Sequence, residues 1–420
     1  MNFKPNPLLY GATENFYSSF KLAITMRDFV DHAVLSRAVE IAMTRYPYFS
    51  VTPEKDGNNI ILAFNSRPVP VFDYNRCAVL GSEECNGHLL FFACEENRIF
   101  LNASHYIADG MGIDPLLKTV LYLYVADMYG TDGLQVERIR MPDEAVSDEE
   151  YAYPFPEIPF EIDNEWIPRK IPDRVYGLDS DVFDGEGMYA YHLHVPQRAM
   201  MAKANPSDGS PVSFLTVMMY RACCAIDETL DAPMVAHVQH QYRQVLRTPI
   251  NRHSLVSYIP VSLPPQVKNW TVEQQNTVLR GQIIIGSEIP EELRAVNRIL
   301  NVIPQDVEMS LSDKKVAMEQ YVNRSIEGKT LGISYVGKMD WCGLDQYIKD
   351  IHAYIGEKYT KNMMLIEVMT IGEDFTINLM QSGRGRAYVD AFVEQLSLMD
   401  IPVTLVGEER YTLCDTVIPG

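Results

Sequence analysis

From Met141 to Pro168 the chain carries nine acidic residues and no Lys or Arg, and prolines interrupt it at 142, 154, 156, 159 and 168. Proline fixes φ and removes a backbone donor, and like charges repel, so this stretch reads as extended connecting chain rather than a helix or strand. It divides the 420 residues into roughly equal halves. The organisation that follows is an N-terminal lobe over 1–140, an acidic, proline-rich crossover connector over 141–187 and a C-terminal lobe over 188–420. Tyr151, Tyr153, Phe155, Phe160 and Trp166 are interleaved with the acids, which predicts that the connector packs across a surface.

Both lobes mix amphipathic helices with short strands. In the first, Val34, Ala38, Ile41 and Ala42 recur at helical spacing and Pro47 stops the run. Ile60 to Phe64 reads as a strand, and Leu89–Cys94 and Arg98–Ser104 as a hairpin across Glu95-Glu96-Asn97. A further helix is expected to start with Asp114 as N-cap and Pro115 at its first position, and to end at Gly130. In the second lobe, strands are expected at Met188–Val195, Met234–His240 and Leu331–Val336, with a hairpin across Gly372-Glu373-Asp374. Ser213 is the expected cap of a helix from Phe214, and further helices span 271–287 and 386–399. Helices alternating with hairpins imply an α/β (α+β) protein with mixed sheets.

Charge narrows the partners. Thirty-six Lys and Arg against 56 Asp and Glu give −20, which argues against non-specific nucleic-acid binding and disfavours an anionic membrane surface. No run of apolar residues is long enough to predict a spanning helix, and the first residues lack a basic start followed by an apolar core. Seven cysteines with no C-x-x-C pair read mainly as small buried hydrophobes of a reduced, cytoplasmic protein.

The segment Asn102-Ala-Ser-His-Tyr-Ile-Ala-Asp-Gly-Met-Gly112 carries the chemistry. An apolar strand delivers His105 at its end, where an imidazole can enter a cleft; its ordinary pKa suits proton transfer near neutrality. Asp109, four residues on, is expected to turn away and lock the loop against an arginine. Gly110 and Gly112 are expected to let the backbone turn tightly and approach a ligand.

SHYIADGMG resembles the H-x-x-x-D-G signature of the chloramphenicol acetyltransferase-like acyltransferases, which include condensation domains, plant acyltransferases and alcohol acetyltransferases. LSRAVEIAMTRYPYFSV (35–51), RPVPVFDY (67–74), PVSFLTVMMYRACCAI (211–226), VQHQYRQVL (238–246) and TLGISYVGKM (330–339) follow the same order as segments of that group. The resemblance implies two similar lobes with a tunnel between them. It implies a thioester donor, on coenzyme A or a carrier protein, and an alcohol or amine acceptor. It makes His105 the general base, and gives Asp109 an ion pair with Arg243 as first choice or Arg45 as second. Backbone amides around Gly110, or the hydroxyls of Ser334 and Tyr335, would meet the oxyanion. The donor is a co-substrate, and neither a tightly bound cofactor nor a metal is expected. Ser104 stands where condensation domains carry a second His, and Gln241 where an Asp precedes the arginine. These departures point away from a peptide-synthetase module and favour a stand-alone acyltransferase close to the alcohol acetyltransferases; a condensation-type enzyme using carrier-protein thioesters and a degenerate binding protein of the same fold are the alternatives they leave open.

Other candidates fare less well. His192 and His194 share a strand face but have no third ligand at typical spacing, so packed or exposed strand histidines are expected. His237 and His240 should face opposite ways. Arg384 and Arg386 could grip a phosphate, but solvated residues at a helix start are the plainer expectation.

Overall fold

A computed structural model describes residues 2–4, 6–12, 19–156, 159–162, 172–304, 307–356 and 363–419. Trp166 lies outside the described residues.

The first half supplies strands β1 (Asn2–Phe3), β2 (Ser19–Met26), β3 (Val51–Asp56), β4 (Asn59–Phe64), β5 (Val71–Phe72), β6 (Leu90–Glu95) and β7 (Arg98–Ser104). Its helices are α1 (His32–Met43) and α2 (Gly110–Tyr129). The second half supplies β8 (Met188–Pro196), β9 (Met234–Gln241), β10 (Val256–Leu263), β11 (Leu331–Tyr335), β12 (Ile348–Tyr354), β13 (Met364–Ile371), β14 (Asp374–Ser382) and β15 (Thr404–Tyr411). Helices α3 (Gln197–Ala204), α4 (Pro211–Ile226), α5 (Val272–Gly286), α6 (Ile289–Leu300), α7 (Leu311–Glu327) and α8 (Ala387–Leu398) complete it.

The strands form a seven-stranded sheet, β10-β9-β11-β13-β14-β8-β15, a five-stranded sheet, β12-β2-β7-β6-β5, and a three-stranded sheet, β1-β4-β3. Pairing is antiparallel except where β11 runs parallel to β9 and β13, and β5 to β6. The sheets do not part company at the connector. β12, from the second half, pairs with β2 at the edge of the first-half sheet. That exchange carries apolar side chains of β13 and β14, such as Leu365, Met369 and Met380, into the core built mainly by the first half. The opposite face of the seven-stranded sheet packs α4 and α8 over Ile333, Ile366, Val368, Ile377 and Leu379.

Capping follows local chemistry, with two corrections to expectation. Asp31 accepts from Ala33 and Val34 at the start of α1. For α2 the cap is Asp109, not Asp114, and the helix runs from Gly110 with Pro115 inside it. Asp109 wins because it accepts the Gly112 amide, while a proline in the second turn removes one hydrogen bond without stopping a helix already nucleated. For α4 the cap is Ser210, reciprocated by Ser213 in a capping box, so the helix begins before Phe214.

The connector is strapped down at its start. Glu150 is buried and takes a bidentate bond from Arg45, at 2.7 and 3.2 Å, and a third from Tyr48 at 2.7 Å. Tyr151 stacks on Tyr48 and meets Phe3 edge-on. Burial alone would push the Glu150 carboxyl up, but these hydrogen bonds hold it below the usual carboxylate range. Arg45→Met should leave Glu150 buried without its counter-charge and lower stability by about 3–5 kcal/mol, read from urea unfolding.

Candidate active site

The site grows from the end of β7. Ser104 closes the strand opposite Ser19 of β2, and a turn carries the chain through His105 to Asp109 and into α2. His105 is partly buried, and Phe20 of β2 meets its ring edge-on, 5.3 Å between centroids. Its Nδ1 lies 3.1 Å from Ser254 Oγ, on the loop between β9 and β10. In the tautomer whose Nδ1–H donates to Ser254 Oγ, Nε2 is the atom able to take a proton. Burial pushes the imidazole pKa down, and the Asp109 charge opposes this only in part, so the ring is neutral and basic at neutral pH.

Asp109 is buried and does not compete for substrate. It takes two bonds from Arg243, both at 2.8 Å, one from the Gly112 amide at 2.8 Å and one from the Leu255 amide at 2.9 Å. Arg243 spends two more of its five donors on the carbonyls of Asn251 and His253. This bidentate clamp joins the start of α2 to the loop that carries Ser254. Arg45, the second-choice partner, is not here; it is committed to Glu150.

Gly112 explains itself sterically. A Cβ there would stand 2.3 Å from the Arg252 carbonyl oxygen. Its role is to let the Ser254 loop close on α2, not to admit a ligand. At Gly110 a Cβ would stand 3.4 Å from Val336 Cγ1, so the end of β11 abuts the helix start. Among the described residues, the amides of Gly110 and Met111 donate to no protein acceptor, as befits the first turn of a helix. Five and six residues after His105, they lie at the positive end of the α2 dipole.

The two hydroxyls expected on the oxyanion side are otherwise engaged. Ser334 donates to Glu367 Oε1 at 2.9 Å. Tyr335 points to the other face of β11, with its ring edge-on to Phe375 in the second core. Sequence reasoning missed Phe20, Ser254, Asn251 and Glu367. The string Asn251-Arg-His-Ser254 is short, polar and downstream of Arg243, but nothing in its spacing names Ser254 as the neighbour of His105.

The remaining candidates form no further centre. His192 joins Asn378 and Glu409, while His194 and His352 share Asp350. His237 stacks on Tyr258 and His240 meets Glu292, on opposite faces of β9. Among the described residues no group of three or more His, Cys, Asp and Glu could hold a metal ion. Arg384 pairs with Glu408 and Arg386 with Asp390, both at the surface.

No protein-family model and no curated protein matches the sequence. Solved structures do match. The F. sporotrichioides TRI101 complexed with coenzyme A and T-2 superposes with a TM-score of 0.60 at 9% identity, covering 97% of this chain and all of that one. The condensation domain from the Monacolin K polyketide synthase MokA gives 0.56 at 10%, covering 95% and 97%. Polyketide synthase associated protein 5 from Mycobacterium tuberculosis gives 0.55 at 13%, covering 90% and 94%. The chain has the chloramphenicol acetyltransferase-like fold. At identities of 9–13% the likeness is one of fold.

Glu367 offers a test of the interior of this fold that needs no substrate. Burial pushes its carboxyl up to about 7, the bond from Ser334 offsetting only part of that. A raised acid holds its proton in the folded chain after the unfolded chain has released it. Its contribution to stability should therefore fall as pH rises from about 4.5 to about 7, by on the order of 3 kcal/mol, and level off above. Buried histidines such as His105, whose pKa burial lowers, act in the opposite sense, so the readout is the difference between native protein and Glu367→Gln in urea melts at pH 5 and pH 8: the advantage of the native chain should shrink by roughly that amount.

Proposed function

We propose that the protein is an acyltransferase that moves an acyl group from a thioester to an alcohol or amine, with His105 as general base. The observation that carries this reading is the neutral, partly buried His105 with Nδ1 engaged by Ser254 and its loop locked by Asp109 and Arg243. His105 Nε2 would take the proton of the acceptor hydroxyl or amine as its oxygen or nitrogen attacks the thioester carbonyl. The oxyanion would face the Gly110 and Met111 amides at the positive end of α2. Collapse would break the carbon–sulfur bond, and the imidazolium would return its proton to the leaving thiolate. No enzyme-bound acyl group is required.

Coenzyme A is the donor we favour, since TRI101 structures of the same fold hold coenzyme A together with T-2 or deoxynivalenol. A carrier-protein thioester is the second reading, favoured by the likeness to the polyketide synthase condensation domain. The same reading places the protein in the cytoplasm, as lobes over 1–140 and 188–420 joined by the connector at 141–187.

The deciding measurement is thiol release over a panel of acyl-coenzyme A donors with small alcohols and amines. His105→Ala should lower kcat by about 10²–10⁴ while leaving the melting transition in place. Silence with every coenzyme A thioester, but turnover with an acylated carrier protein, would move the assignment to the second reading. Silence with both would end the acyltransferase proposal.

Two further outcomes are specific to this geometry. The acid limb of kcat/KM should turn below pH 6.5, because burial lowers the His105 pKa and the base is spent once protonated. Gly112→Ala should push the Arg252–Ser254 loop away from α2 and cost on the order of 10² in kcat/KM, since it disturbs a site geometry set to within about 1 Å.

A further inference from the structure

A second chemically unusual spot lies on the same strands, below β2 and β7. Lys21 of β2 is only 4% exposed, yet among the described residues its ammonium finds a single acceptor, Asn75 Oδ1 at 3.4 Å. The nearby carboxylate, Glu409, already takes bonds from Arg98, His192 and Tyr354. A buried ammonium needs a counter-charge or it releases its proton, and burial does lower the Lys21 pKa. The groups that favour its charged form most strongly are two thiols, Cys414 and Cys77, ahead of Glu409.

Those thiols are neighbours, since Cys77 Sγ reaches the carbonyl of the residue that precedes Cys414. Cys77 Sγ lies 3.0 Å from the Leu413 carbonyl oxygen, and Cys414 Sγ 3.6 Å from Asn102 Oδ1. The backbone holds them together. Leu80 pairs in parallel with Thr416, with the Leu80 amide on the Asp415 carbonyl and the Val417 amide on the Leu80 carbonyl. Paired segments lie about 4.8 Å apart, inside the span that a disulfide bridges. Cys77 is exposed and borders a cavity of about 170 Å³ that Lys21, Asn75 and Arg98 also line, whereas Cys414 is buried. The neighbouring Cys414 holds the Cys77 thiol below the ordinary thiol range, against the partial desolvation of its cleft, and Lys21 adds to this while the Asp415 charge opposes it. Cys414 is pushed up, first by Cys77 and then by burial, with Cys85 adding to the rise. The exposed sulfur is therefore the nucleophile and the buried one its resolving partner.

We propose that Cys77 and Cys414 are an oxidisable dithiol, which a peroxide closes into a disulfide tying the C-terminal segment to the loop before β6. The Cys77 thiolate attacks one peroxide oxygen, the O–O bond breaks, and a sulfenic acid forms as hydroxide leaves. Cys414 Sγ then attacks the Cys77 sulfur and expels the second hydroxide. The thiol protons end on the two hydroxides, so two thiols and one hydrogen peroxide give one disulfide and two waters. Lys21 is a positioning residue that keeps the thiolate charged. The other five cysteines, 85, 94, 223, 224 and 342, are all pushed up by burial and serve as internal controls.

The test uses the reduced full-length chain. Iodoacetamide at pH 7 should label Cys77 roughly 10-fold faster than any of the five controls, and Lys21→Gln should reduce that advantage without abolishing it. One to five equivalents of hydrogen peroxide, followed by non-reducing peptide mapping, should yield the Cys77–Cys414 linked peptide as the main oxidised product. In Cys414→Ser, Cys77 should instead accumulate as a sulfenic acid that dimedone traps. The proposal is overturned if Cys77 labels no faster than the controls. It is equally overturned if peroxide drives Cys77 to sulfinic acid while Cys414 stays free. Both readouts come from the native protein and hold even if a variant fails to fold.

Discussion

The ion pair between Asp109 and Arg243 sets the distances on which the site depends. One partner caps α2 in the first half of the chain, and the other sits just past β9 in the second. Replacing such a buried pair by apolar side chains can be nearly neutral in stability, so net stabilisation is not its main contribution. What an apolar contact could not supply is register. The guanidinium also holds the carbonyls of Asn251 and His253, which pins the loop that delivers Ser254 to His105. Gly112 permits the same loop to close, because only a residue without a Cβ fits under the Arg252 carbonyl.

A second buried pair supports the first. Glu150, held by Arg45 and Tyr48, starts the connector. Its carbonyl accepts the Arg252 amide, and the Asn251 side chain donates to the carbonyls of Glu149 and Ala152. The connector is thus bonded to the very loop that Arg243 organises. The interleaved aromatics made this stretch look like chain packed across a surface, and one of its nine acids, Glu150, is a buried anchor that composition alone did not single out.

Much of the site was legible because its signal is local. A strand that ends in His, followed by Asp, Gly and a helix, is a run of eleven residues whose roles depend on neighbours in sequence. The misreadings share one cause. Asp114 followed by Pro115 has the form of a helix start, yet Asp109 had a stronger claim through the Gly112 amide and Arg243. Tyr335 and Ser334 were paired as candidates, although strand alternation sends them to opposite faces of β11. Arg45 and Arg243 were both credible partners for Asp109, and no spacing rule separates two arginines roughly 200 residues apart.

By itself, then, the amino-acid order determined much of the strand and helix alternation, the proline-interrupted acidic stretch between the halves and the imidazole at the end of β7. These follow from periodicity, proline placement and adjacent residues, which act over a few peptide units. Tertiary structure alone decided which arginine holds Asp109, that β12 crosses to the first-half sheet, that Ser254 meets His105 and that Lys21 faces two thiols. Each of these joins residues more than fifty positions apart, and such contacts are set by the packing of whole elements and the desolvation of charge.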